Sequence, residues 1–138
     1  MLALLYSFVL LTASAFALPM FHWPRTETVS NVVCTDPNVT LDSHETNVAL
    51  LQICGGIAGS IESCQGNPTT TTGTSGGSEF TITPVNSGDT INISKGRWEQ
   101  GIKAVAATCG ADKPFTATFT GGATTGDVNV VLQQASAK

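Results

Sequence analysis

Alternation of apolar and polar positions is cleanest near the C-terminus. In FTATFT, residues 115–120, Phe115, Ala117 and Phe119 fall on one side and threonines on the other. That is the period of a half-buried strand. VNVVL at 128–132 resembles it after a Gly/Thr loop at 121–127, so the two segments predict a hairpin. EFTITPV at 79–85 groups Phe80, Ile82 and Pro84, and 90–93 form a short extended continuation beyond a turn at 86–89. A first strand is expected in TVSNVVCT at 28–35, rich in β-branched residues and stopped by Asp36-Pro37-Asn38.

Two other stretches follow helical spacing. Trp98, Ile102, Val105 and Cys109 recur at i, i+4, i+7 and i+11, one continuous core stripe. Ser94 caps this helix and Gly110 stops it. The other helix opens at Asp42-Ser43-His44-Glu45 with the spacing of a capping box. It continues through Val48, Leu51, Cys54, Ala58 and Ile61, which predicts a helix over 43–64. Gly55, Gly56 and Gly59 each weaken it by about 1 kcal/mol, so it must draw stability from packing. QGNPTTTTGTSGGS at 65–78 has no apolar side chain to bury and is expected to be a mobile loop.

The order strand, helix, strand, helix, strand, strand predicts an α+β domain over 28–134, with 135–138 as a frayed tail. Alternating strands leave one sheet face to water. The expected architecture is a two-layer α/β-sandwich, two helices packed on one face of a four- to five-stranded, mainly antiparallel sheet.

Ahead of the domain, an apolar run at 2–11 is followed by Ala15-Phe16-Ala17, a small-x-small cleavage pattern. Residues 1–17 therefore read as a signal peptide and 18–27 as a flexible N-terminal arm. The apolar run falls short of the about 20 residues that a spanning helix needs. The mature chain is expected to be secreted and extracellular, a monomer with no stable membrane insertion. Ten acidic and six basic side chains give a net charge of −4, which argues against a nucleic-acid or anionic-membrane partner. Lys95, Arg97 and Lys103 cluster, but Glu99 among them makes this a solvated helix face.

The four cysteines, Cys34, Cys54, Cys64 and Cys109, imply two disulfides in a small exported chain. In a continuous helix Cys54 and Cys64 would stand about 15 Å apart along the axis. A disulfide tolerates only about 4.4–6.8 Å between Cα atoms, so this pair requires a break at Gly55-Gly56. The favoured pairs are Cys34–Cys64 and Cys54–Cys109, which tie one helix to the other; exchanging the partners is the alternative. No short paired Cys or His spacing suggests a metal site, and no cofactor motif is present.

Acid–base chemistry has few carriers. His44 lies in the first turn of a helix, and Asp36, Asp42, Asp89, Asp112 and Asp127 each fall at a turn or cap. No catalytic motif is present, so the chain is not read as an enzyme. Asn38-Val39-Thr40 and Asn92-Ile93-Ser94 make Asn38 and Asn92 candidate N-glycosylation sites.

The signal peptide, Cys34 in a first strand, ALLQIC ending at Cys54, the Trp98–Cys109 stripe and the closing GDVNVVL together resemble a family. It is that of small secreted fungal proteins similar to viral killer toxins. The resemblance implies a ferredoxin-like, split βαβ sandwich. It also implies a non-enzymatic effector that binds a protein or surface of a host or competing cell. The alternatives are a secreted hydrolase or nuclease using His44, and a cell-wall or surface structural protein suggested by the Thr-rich tract.

Overall fold

A computed structural model describes residues 27–59 and 61–137 of the chain. The signal peptide expected at 1–17 and residues 18–26 of the expected arm lie outside the described residues. Strands β1 (Val29–Cys34), β2 (Thr71–Ser75), β3 (Ser78–Pro84), β4 (Phe115–Gly122) and β5 (Asp127–Gln134) form a single sheet in the order β1-β4-β5-β3-β2. Helix α1 (Ser43–Gln52) lies between β1 and β2, and α2 (Lys95–Cys109) between β3 and β4. Every neighbouring strand pair is antiparallel. The protein is thus an α+β structure: two helices on an open five-stranded antiparallel sheet.

Side-chain alternation decides which face the helices cover. Phe80 and Ile82 of β3, Phe115, Ala117 and Phe119 of β4, and Val128, Val130 and Leu132 of β5 are all buried. The residues between them, such as Thr81, Thr116, Thr118 and Asn129, remain partly or fully exposed. One face therefore needs cover, and both helices supply it. Trp98 of α2 is 2% exposed, with its ring 5.5 Å from Phe119 and 6.0 Å from Phe80, centroid to centroid. Gly101 lets α2 approach this closely, because a Cβ there would collide with the Phe119 ring. The buried side of α2 is therefore Trp98, Gly101 and Val105, while Ile102 and Cys109 are only partly buried at its margin.

The split β-α-β unit is present once. Helix α2 joins β3 to β4, which run parallel with β5 inserted between them. The ferredoxin-like interleaving of two such units is not reproduced, because the crossover through α1 joins the two edge strands β1 and β2.

Several further sequence expectations need correction. The tract at 65–78, expected to be a loop, contains β2, which pairs with β3 from Thr71↔Ile82 to Ser75↔Ser78 around Gly76-Gly77. Its threonines have strand-forming side chains, and Gly73 leaves room for α1, where a Cβ would strike the Ala49 carbonyl. The outer edge of β2 is also occupied: the Gln52 amide donates to the Thr74 carbonyl at 2.9 Å and accepts from its N–H at 3.1 Å.

The first helix does not run to residue 64. It ends at Gln52, followed by a 3-10 turn, Ile53–Gly55, in which Cys54 has φ 55°. Gly55 and Gly56 continue at φ 76° and 106°, a left-handed path that glycine follows readily. The buried side of α1 is Thr46 and Ala49, whereas Leu51 from the expected stripe is 52% exposed. Asp42 caps the helix by accepting from the Glu45 N–H at 3.0 Å, but Glu45 accepts from Gly77 N–H at 2.7 Å instead of completing the capping box.

The disulfides are Cys34–Cys109 and Cys54–Cys64, not Cys34–Cys64 with Cys54–Cys109. The break after Gln52 is the physical reason: it turns the chain back until the Cys54 and Cys64 Cα atoms are 4.4 Å apart. The peptide at 90–93 is also not a ladder strand; it makes isolated bridges, Ile91↔Ala123 and, just beyond it, Ser63↔Ser94. It still buries Ile91 and Ile93 completely.

The close approach at α2 predicts a contrast between two glycines of one helix. Gly101→Ala should destabilise the protein by about 1–3 kcal/mol in urea unfolding. Gly96→Ala, whose Cβ would meet nothing within 4 Å, should be neutral or stabilise by up to about 1 kcal/mol.

Candidate functional site

The carriers of acid–base chemistry are dispersed and occupied with local structure. His44 is exposed in the first turn of α1, and the neighbouring Glu45 carboxylate is bound to Gly77 N–H. Asp36 accepts from Asn38 N–H at 3.3 Å and Asp127 from Gly121 N–H at 2.7 Å. Asp89 holds Thr125 through its hydroxyl and its N–H, at 2.8 and 3.2 Å. These contacts stabilise turns. Among the described residues, no three His, Cys, Asp or Glu side chains gather as a metal site would require.

An apolar concavity lies on the helical side of the sheet. Helix α1 packs on β2 and β3, and α2 packs on β1 and β4. The middle strand β5 is left between them. A cleft with a cavity of about 140 Å³ opens there, floored by Phe80, Phe115 and Leu132. Leu50 forms one wall, and Ile102, Val105 and Ala106 form the other. A shallower basin adjoins it, sharing Leu50, Ile102 and Ala106 and ending at Trp98 and Ala58. Charges of both signs stand at the two ends: Asp112 and Lys113 at one, Glu99 and Lys103 at the other. The Lys113 ammonium is held by the Pro37 carbonyl at 3.1 Å and the Thr40 hydroxyl at 2.6 Å, which fixes that end of the mouth.

This lining is apolar, with few polar groups, as small-molecule and side-chain pockets usually are. It can hold an alkyl or aryl group by desolvation; it presents no nucleophile–base pair. Of the expected core stripe, Trp98, Ile102 and Val105 all contribute to the cleft walls. The cysteines stand elsewhere, at the ends of β1 and α2 and in the loop after α1. Sequence spacing does not single out Leu50 and Ala106. The signal was the width of the α2 stripe, since Ile102 lies to one side of the line through Trp98, Gly101 and Val105.

The two sequons have different surroundings. Asn38 is exposed in the turn after β1. The Asn92 backbone N–H donates to the Gly122 carbonyl at 2.8 Å, and its side-chain amide, oriented to suit its neighbours, donates to Gly122 and Ala123 carbonyls at 3.2 Å. Comparison with known proteins yields nothing further: no protein family, curated protein or solved structure matches the chain.

A glycan on Asn92 would replace one of the two amide hydrogens that make these contacts. Expression in a eukaryotic secretory host should therefore give one N-linked glycan, lost in Asn38→Gln and retained in Asn92→Gln, as read by intact mass before and after deglycosylation.

Proposed function

We propose that the chain is an exported, disulfide-bonded binding protein of the effector or killer-toxin-like kind. It acts without catalysis, as a monomer, on a protein of a host or competing cell. The open apolar cleft over β5 carries this reading, because neither helix spans that strand and the cavity is lined by Leu50, Phe80, Ile102, Ala106 and Leu132. A protruding apolar side chain of the target fills it, and the mixed charges at its ends set the orientation of the partner. All four cysteines are joined in disulfides, which supports maturation in an oxidising compartment. No helix among the described residues is long and apolar enough to cross a membrane.

Ala106→Arg tests the role of the cleft. Residue 106 is partly exposed on α2, so a long cation obstructs the cavity while keeping good helix propensity. Purified wild-type and variant proteins, applied to plant tissue and to competing fungal cultures, should differ at least tenfold in response, with circular dichroism unchanged. Equal responses would reject the cleft as the working surface. Hydrolysis of RNA or glycans that His44→Ala abolishes would replace this reading with the hydrolase alternative.

A further inference from the structure

The sheet face away from the helices is almost free of charge. Strand register places Val33, Thr116, Val131, Thr81 and Thr72 in one row across all five strands. The adjacent row contains Thr118, Asn129 and Thr83. Among the described residues the ionisable side chains that strand alternation places on this face are Glu79 and Asp127, both at its rim: Glu79 is bound by Gln133 at 2.8 Å, and Asp127 accepts from Gly121 N–H at 2.7 Å. A chain with ten acids and six bases has thus kept its charges to the rim of this face. Exposed protein surface ordinarily mixes both signs throughout.

This face also has a concavity. A shallow basin of about 380 Å³ lies over Thr118 and Asn129, flanked by Asn31, Thr83 and Thr116. Its polar groups are partly committed to one another. Asn31 Nδ2 donates to the Thr118 hydroxyl at 3.4 Å, and that hydroxyl donates to Asn129 Oδ1 at 3.0 Å. The Asn129 Nδ2 donors, the Asn31 Oδ1 acceptor and the Thr83 and Thr116 hydroxyls remain for a ligand.

We propose that this face binds a neutral polysaccharide, independently of the cleft. Vicinal sugar hydroxyls both donate and accept, which matches an amide and hydroxyl set with no net charge. The C–H side of the sugar ring packs on Val131 and the threonine methyls. An anionic ligand would lose its hydration here without gaining a counter-charge. A second copy of the chain is disfavoured by size. Five strands of five to eight residues, about 4.8 Å apart, span roughly 500 Å², short of the about 800 Å² that a stable partner surface buries on each side.

The test titrates the disulfide-intact secreted protein, amide ¹⁵N-labelled, with cellohexaose, chitohexaose and laminarin, followed by NMR and calorimetry. At least one sugar should shift amides of β4 and β5, with affinity reduced about tenfold by Asn129→Ala. Val131→Glu should abolish binding, and Ala106→Arg should leave it intact, which separates this face from the cleft. Thr83→Val serves as a second, fold-neutral variant and should weaken binding severalfold. Absence of shifts with all three sugars at millimolar concentration would overturn the proposal. So would binding indifferent to Asn129→Ala and Val131→Glu, or a dimer in sedimentation that Val131→Glu dissociates.

Discussion

The two helices are held to different parts of the sheet, and neither disulfide joins one to the other. Cys34–Cys109 fastens the end of α2 to the end of β1, across 75 residues of sequence. Cys54–Cys64 closes a separation of 10 residues in the segment that leaves α1. In the chain-entropy description these contribute about 4 and about 3 kcal/mol. Their placement matters as much as their strength. One bridge pins a helix to an edge strand, the other fixes the turn that sends the chain to the opposite edge, and the middle strand is left without a helix directly above it.

Packing then fills what the bridges permit. Trp98 of α2 inserts between Phe119 of β4 and Phe80 of β3, with Gly101 allowing close contact, so its ring anchors α2 to residues on both sides of β5. Toward β2, α1 is seated by polar contacts as well as by Ala49. The buried hydroxyls of Thr46 and Ser78 meet at 3.0 Å, and Gln52 bonds both backbone groups of Thr74. That amide occupies the position a further strand would take, so the edge at β2 is blunted. At the other edge, β1 is interrupted by a register shift and by Asn31 at φ 50°, and a bulge of this kind also discourages pairing with another chain.

Much of this was legible along the chain. Alternation in 79–83 and 115–119 identified two strands and their inward residues, since period-two patterning is a local property, and the apolar run at 128–132 beyond a Gly/Thr loop read as the strand that closes a hairpin. Helix α2 was equally clear from its stripe and its Ser94 cap. What escaped was non-local. β2 has no apolar residue of its own; its place comes from β3, from Gln52 and from the small volume of Gly73. The stop after Gln52 competes with a helical apolar pattern that continues through Cys54 and Ala58. Closure of Cys54–Cys64 and the left-handed run at residues 54–56 prevail over that pattern. With the helix end misplaced, the cysteine pairing and the cleft between separately anchored helices could not be anticipated.

Separate anchoring of α1 and α2 is measured most directly by non-reducing proteolysis and mass spectrometry of the purified, unreduced protein. This account predicts cross-linked peptides containing Cys34 with Cys109 and Cys54 with Cys64. Cys54 recovered with Cys109, or Cys64 with Cys34, would contradict it, because α1 would then be covalently tied to the partners of α2 and the two helices could not stand apart over β5.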